Sequence, residues 1–199
     1  MKIVILGLVS ICIILTGIFV AATREHDAPR ESVSPTEKMY RSEALGIAFD
    51  YPAHYYLEEK NLSTGARTRY ALILTEDTEE NRAVREGTAG PREGPTAITI
   101  DIFQNNLDNY TTEKWVRGTN DSNFKLSPDG VLTATLLGGE AALTYRWSGL
   151  YEGETVAVAR PDFIYAASVT FLTPEDTTRD DFDKVLESVR FTDSTPELE

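Results

Sequence analysis

The stretch that decides the fold is residues 132–172, LTATLLGGEAALTYRWSGLYEGETVAVARPDFIYAASVTFL. Runs rich in Thr, Val, Ala and aromatic residues alternate there with clusters of turn-forming residues. The turn signals are Gly138-Gly139, residues 149–153 and Pro161-Asp162. Short β-prone runs separated by such signals are typical of hairpin-connected antiparallel strands. The pattern predicts four strands, at residues 132–137, 141–147, 155–159 and 163–172.

Upstream of this stretch, apolar residues with a period of two and one continuous apolar run predict three more strands. These strands are residues 40–51, which Pro52 ends, residues 70–74, and residues 97–103. Between the last two lies the segment 76–95, which is rich in Glu, Arg, Gly and Pro. With little to bury, it is expected to form a long mobile loop.

Two helices complete the predicted domain. Thr111 or Thr112 can cap a short helix that carries Trp115 and Val116 inward. A final helix begins at Thr173, Glu175 or Thr177, and its apolar residues recur at helical spacing. They are Phe182, Val185, Leu186 and Val189. This order of elements predicts an α+β fold with an antiparallel sheet flanked by helices.

An apolar segment precedes the domain. Residues 3–22, IVILGLVSICIILTGIFVAA, carry no charge, and as a helix they are about 30 Å long, which matches a bilayer core. Lys2 in front of the run favours a cytoplasmic N-terminus. We therefore expect residues 1–22 to be a transmembrane helix or signal anchor of a single-pass cell-membrane protein with an extracytoplasmic C-terminal domain. Cleavage as a secretory signal after Ala22 is the alternative.

Composition divides the rest of the chain. Residues 23–38 contain two prolines and many charges, which predicts a flexible tether. Residues 39–192 form the domain, and residues 193–199, DSTPELE, form an acidic tail. Cys12 is the only cysteine and lies in the apolar run, so the domain contains neither a disulfide nor a cysteine-based metal site.

The charge balance excludes some partners. The 199 residues include 19 Lys and Arg against 32 Asp and Glu, a net charge of -13. Nucleic-acid binding needs cations along the phosphates, so this excess of acid argues against it. The same excess disfavours docking on anionic lipid through a basic face. An apolar fraction of 41% indicates a globular domain rather than a disordered chain.

Four short motifs resemble PsbP-like domains of bacterial membrane-anchored proteins. Tyr40, followed by GIAFDYP at residues 46–52 and then Tyr55, resembles the opening of that family. TEKWV at residues 112–116 resembles its first helix. GGEAA and FDKVLESVRF, at residues 138–142 and 182–191, resemble its hairpin and its closing helix.

The resemblance spans about residues 40–192 and implies the Mog1/PsbP-like α/β/α sandwich, in agreement with the α+β plan. Plant members of the family serve the oxygen-evolving side of photosystem II, whereas many bacterial relatives are membrane-anchored proteins with no assigned activity. This chain has Tyr55 where the family pattern usually shows Trp, and it lacks recognisable metal-binding histidines. The resemblance therefore implies the fold and not the photosystem role.

Candidates for catalysis are few. His54 is the only imidazole in the predicted domain, so a metal site built on a His pair and a two-histidine relay are both excluded. It follows Pro52 in a turn, and we expect a surface position rather than general acid–base work. No GxSxG nucleophile turn is present.

Carboxylates and loop oxygens offer other chemistry. Paired acids could hydrolyse glycosides, and four acids lie on or beside predicted strands: Asp50, Asp101, Glu140 and Glu154. Strand alternation predicts that the first two face water. The side-chain oxygens of Asn and Asp residues in two loops could bind a hard cation. Turns favour Asn and Asp for their backbone geometry alone, so these residues do not by themselves indicate an ion. They are Asn105, Asn106, Asp108, Asn109, Asn120, Asp121 and Asn123.

Five aromatic residues could form an interaction face, namely Trp115, Tyr145, Trp147, Tyr151 and Tyr165. Of these, Trp115 on a short helix and Tyr145 and Trp147 in a strand are expected in the core instead. No residue is singled out as catalytic, cofactor-binding or metal-ligating, and no cofactor is predicted. We expect a non-enzymatic binding or assembly module with a protein partner at the membrane surface. A carboxylate-based hydrolase and a secreted cation-binding protein remain alternatives.

Overall fold

Two antiparallel sheets organise the computed structural model, which describes residues 36–65 and 67–192. The strands are β1 (Glu37–Ser42), β2 (Ile47–Pro52), β3 (Tyr55–Asn61), β4 (Arg69–Glu76), β5 (Ile98–Gln104), β6 (Thr133–Leu137), β7 (Glu140–Ser148), β8 (Glu152–Ala159), β9 (Phe163–Phe171) and β10 (Arg190–Phe191). The helices are α1 (Glu79–Arg85), α2 (Thr112–Gly118) and α3 (Thr177–Ser188). A short 3-10 turn covers Phe124–Leu126. The fold class is α+β, as predicted.

The larger sheet has seven strands in the order β3-β4-β5-β9-β8-β7-β6, and the smaller has the order β1-β2-β10. All pairings are antiparallel. The four strands predicted at residues 132–172 are present as β6 to β9. Gly138 and Gly139 connect β6 to β7 with φ angles of 56° and 83°, the left-handed values that a two-residue hairpin loop requires.

Each face of the larger sheet packs against a different set of elements. One face, with Ile98, Ile100 and Ile102 of β5, packs against the smaller sheet and α3. The opposite face packs against α2 over β7 and β8. Helices on both faces agree with the predicted arrangement. The aromatic residues predicted in the core, Trp115, Tyr145 and Trp147, are buried there, and Tyr165 is buried as well.

The segment predicted as one strand at residues 40–51 is instead a hairpin of β1 and β2. Gly46, with a φ of 60°, donates its backbone N–H to the carbonyl of Glu43 at 3.2 Å and reverses the chain between the two strands. The first strand also starts at Glu37, so two residues assigned to the tether belong to the sheet. Polar residues on a solvent-facing edge strand explain why hydrophobic periodicity missed this boundary.

β3 and α1 were also not predicted. β3 carries charged residues along the outer edge of the larger sheet, so it lacks the apolar alternation of a half-buried strand. The predicted loop at residues 76–95 contains α1, which has no buried residues. Local interactions form this helix: the Thr78 hydroxyl accepts the Asn81 N–H at 3.2 Å, and Asp77 binds Arg82 and Arg85.

The predicted membrane helix at residues 1–22, most of the tether and the tail at residues 193–199 lie outside the described residues. Within residues 36–65 and 67–192, no helix is both long enough and apolar enough to cross a bilayer.

The Trp147 indole lies over Gly153, its partner on the neighbouring strand, and donates to the Thr155 hydroxyl at 2.9 Å. A Cβ at position 153 would clash with the Cε2 and Cζ2 atoms of the indole ring. Gly153→Ala is therefore expected to displace the ring, to break its hydrogen bond and to lower the free energy of unfolding by about 1–3 kcal/mol. Urea denaturation followed by Trp fluorescence measures the change.

Gly149→Ala is the matched control, because its added methyl meets only Leu126 Cδ1 at 3.8 Å and Trp147 Cζ3 at 3.9 Å, which are ordinary contacts. The control should stay within about 0.5 kcal/mol of the wild type. Equal losses in the two variants would contradict the assigned role of Gly153.

Candidate functional site

His54 lies in the turn between β2 and β3 and contacts a buried carboxylate of α3. Its Nε2 is 3.3 Å from Asp181 Oδ2, and the side chains of His54 and Asp181 are 56% and 9% exposed. The imidazole is thus at the surface, as expected, but it has an acidic partner that lies far away in the sequence. The Asp181 position was not identified from the sequence, because nothing local distinguishes it from the other acids of α3.

The same carboxylate binds two further groups. Lys184 Nζ donates to Asp181 Oδ1 at 2.7 Å, and the Tyr55 hydroxyl donates to Oδ2 at 3.4 Å. Burial, reinforced by the charge of Asp181, raises the pKa of Tyr55. The hydrogen bond with Asp181 raises the pKa of Lys184. We call these four residues the Asp181 cluster; it joins the β2–β3 turn to α3 and presents an imidazole to solvent.

The four candidate acids do not converge. Asp101 and Glu154 lie on opposite faces of the larger sheet, as the register of β5, β9 and β8 shows. Asp50 belongs to the smaller sheet and binds Arg190 at 3.0 Å. Each acid has an arginine within 4.0 Å, and the pairs are Asp50–Arg190, Asp101–Arg69, Glu140–Arg160 and Glu154–Arg179.

Three of the Asn residues in the two loops stabilise the turns in which they lie. Asn105 is buried, its Nδ2 donates to the carbonyls of Tyr110 and Arg160, and its Oδ1 accepts the Tyr110 N–H. Asn109 and Asn123 adopt left-handed φ angles of 50° and 59°. Across the described ranges, no group of three or more His, Cys, Asp or Glu side chains is placed to hold a metal ion.

One half of the larger sheet carries polar residues on the face toward α2. Ile73, Thr99 and Ser168 lie side by side on β4, β5 and β9, and Asp101 follows on the same face. All four are half-buried, whereas Ile164 and Ala157 on the half near α2 are 1% and 0% exposed. We call Ile73, Thr99, Asp101 and Ser168 the open face.

An arginine–aspartate pair borders the open face. Arg69 Nε and Nη2 donate to Asp101 Oδ1 at 3.2 and 2.9 Å, and the guanidinium lies 4.8 Å from the centre of the Phe103 ring. Burial raises the pKa of Asp101 although Arg69 opposes the shift, and the charge of nearby Asp121 raises it further. The expectation that Asp101 is a solvated acid is therefore wrong: its side chain is 21% exposed.

A chain of hydroxyl groups links the open face to the core. The Ser168 and Thr155 hydroxyls are 2.8 Å apart, and the Thr155 hydroxyl accepts the Trp147 indole N–H. Both Arg69 bonds reach Oδ1 of Asp101, so Oδ2 keeps its capacity to accept a hydrogen bond from a ligand. The face thus combines an apolar side chain, hydroxyl groups and a poorly solvated carboxylate.

The fold and these features define an α+β domain with a covered antiparallel sheet and one polar half-face. The structure is similar to the solution structure of cyanobacterial PsbP from Synechocystis, with a TM-score of 0.49 and 11% identity over 80% of this chain and 95% of that chain. It is also similar to a crystal structure from Bacteroides thetaiotaomicron, with a TM-score of 0.46 and 9% identity over 79% of this chain and 49% of that chain.

This chain therefore spans about half the length of the Bacteroides protein. No family model matches the sequence, and neither does any curated protein. A PsbP structure is thus among the solved structures that are similar to this chain, and the similarity concerns the fold alone.

The Asp181 cluster gives a test of stability. Asp181→Asn keeps the size of the side chain but removes the negative charge that both His54 and Lys184 contact. Residue 181 is only 6% exposed. We expect the free energy of unfolding to fall by about 1–3 kcal/mol. Asp180→Asn, at the exposed neighbouring position, should change it by less than about 0.5 kcal/mol. Thermal and urea unfolding measure both, and equal effects would show that the cluster does not hold α3.

Asp101 gives a test of pH dependence. Because its pKa is raised in the folded state, the folded carboxyl holds its proton more tightly than the unfolded one, whose pKa is near 3.9. The wild type should therefore gain stability relative to Asp101→Asn as pH falls through the raised pKa, with the gain complete below about 3.9. Urea unfolding at a series of pH values measures this difference. A loss in the same range would mean that Arg69 outweighs burial.

Proposed function

We propose that this chain is a membrane-anchored, extracytoplasmic binding module that engages a protein partner through the open face. The observation that carries the proposal is the pair of Arg69 and Asp101 at the border of that face. A partly exposed carboxylate whose pKa is raised by burial and which has a specific arginine partner is a candidate for a functional surface.

The chemistry of the face supports a protein ligand. Ile73 offers an apolar contact, Thr99 and Ser168 offer hydroxyl groups, and Asp101 offers an acceptor oxygen. A partner that presents hydrogen-bond donors and a small apolar surface would complement this set, and contact with it would remove the remaining water from the charged pair. Such mixed surfaces are typical of non-obligate protein interfaces.

The uncharged run at residues 3–22 and the preceding Lys2 support the anchor and its orientation. A tether of up to 14 residues, 23–36 in the sequence, would let the domain reach a partner near the same membrane. In this proposal the domain binds a protein partner or helps to assemble a complex at the membrane surface, and it catalyses no reaction.

Thr99→Arg tests the proposal, because it places a long cation in the centre of the open face between Ile73 and Ser168. The full chain is expressed in its membrane, crosslinked, purified and analysed by mass spectrometry. We expect a partner that is recovered with the wild type and lost with Thr99→Arg, while external protease on intact spheroplasts digests the domain of both.

Thr144→Arg is the matched control, since Thr144 is also a half-buried strand threonine but lies on the opposite face of the same sheet. It should recover the partner at the wild-type level, and both variants should unfold at similar temperatures. Equal recovery with the two variants, or no recovered partner at all, would count against the open face as the binding surface.

A further inference from the structure

β6 is an edge strand whose chemistry differs from that of the other outer edges. It ends the order of the larger sheet, and its five residues, TATLL, carry no charge. The opposite edge, β3, contains Glu58, Glu59 and Lys60, and the edge strand β1 of the smaller sheet is also charged. Charged residues are the usual protection of an exposed edge against pairing with another strand. β6 lacks this protection.

The hairpin geometry determines which backbone groups of β6 point outward. Leu137 and Glu140 flank the two-residue loop, so they form the hydrogen-bonded pair that closes the turn. Because hydrogen-bonded and non-hydrogen-bonded pairs alternate, Thr135 and Thr133 also bond to β7. Ala134 and Leu136 therefore direct their N–H and C=O groups away from β7, and in the described part of the chain no strand pairs with that edge.

We propose that two copies of this chain associate by antiparallel pairing of β6 with β6, centred on Thr135. In this register Ala134 of each copy is opposite Leu136 of the other, and all four outward residues of the pair become hydrogen-bonded. A relative shift of the two strands by one residue would place each outward residue opposite a residue that points its backbone groups toward β7. A shift by two residues would leave outward residues of β6 without a partner in β6 of the other copy. The register centred on Thr135 is therefore the one that pairs every outward residue of both strands, and the result is one continuous sheet across both copies.

The side chains of β6 are compatible with pairing to a second copy of the same strand. Leu136 is 68% exposed, and pairing would place it against Ala134 of the second copy. Self-pairing brings no like charges into opposition within β6, because the strand has none. Each chain nevertheless carries a net charge of -13, so association should strengthen as salt screens the repulsion between the copies.

Engineered cysteines test the register in the full chain, with Cys12, the only native cysteine, replaced by Ser. In the proposed pair, Thr135 faces its own copy as a non-hydrogen-bonded pair, whose Cα atoms lie about 4.5 Å apart and so within disulfide range. Thr133 faces Leu137 instead. Thr135→Cys should therefore form disulfide dimers in membranes about tenfold more than Thr133→Cys, although position 133 is the more exposed of the two.

A second pair of variants separates pairing from random collision. Leu136→Lys in the Thr135→Cys background should abolish the crosslink, whereas Leu150→Lys should leave it unchanged, since Leu150 is also 68% exposed but lies in the β7–β8 turn. Equal crosslinking at positions 133 and 135, no crosslinking at either, or a crosslink of Thr135→Cys to another protein would each overturn the proposal. None of these readouts depends on the open face.

Discussion

The pairing of β5 with β9 is the interaction on which the rest of the structure depends. Seven residue pairs, from Ile98↔Val169 to Gln104↔Phe163, join the first half of the larger sheet to its second half. On one face this pair presents large apolar residues, which need a cover of helix and smaller sheet. Burial of each such side chain contributes about 1.5–3 kcal/mol, so this face sets the position of α3.

The other face of the same pair is polar where it carries Thr99, Asp101 and Ser168, and apolar where Ile164 and Phe103 meet α2. A short helix of seven residues covers only part of a sheet this wide. The open face therefore follows from the same strand pair that builds the core. A partner surface and a second copy would use different parts of the sheet, one its uncovered face and the other its β6 edge.

The two charged groupings show what long-range packing does to ordinary residues. His54 and Asp181 are 127 positions apart in the sequence, yet their side chains meet at 3.3 Å. Asp101 has the alternation of a solvent-facing residue, and that prediction of its face is correct. Its environment is not bulk solvent, because Arg69 binds the carboxyl at 2.9 Å and also lies 3.7 Å from Asp121 of a neighbouring loop. Strand periodicity identifies the face of a residue but not what lies above that face.

The sequence by itself determined the α+β class, the four strands of residues 132–172, the two helices that carry buried residues, and the burial of Trp115, Tyr145 and Trp147. These features follow from local periodicity, turn chemistry and side-chain size, which act over a few residues. Only the tertiary structure decided the pairing of β5 with β9, the partners of Asp101 and Asp181, and which strand is left at an edge. Those depend on contacts between distant segments, and no local pattern encodes which distant residue will be the neighbour.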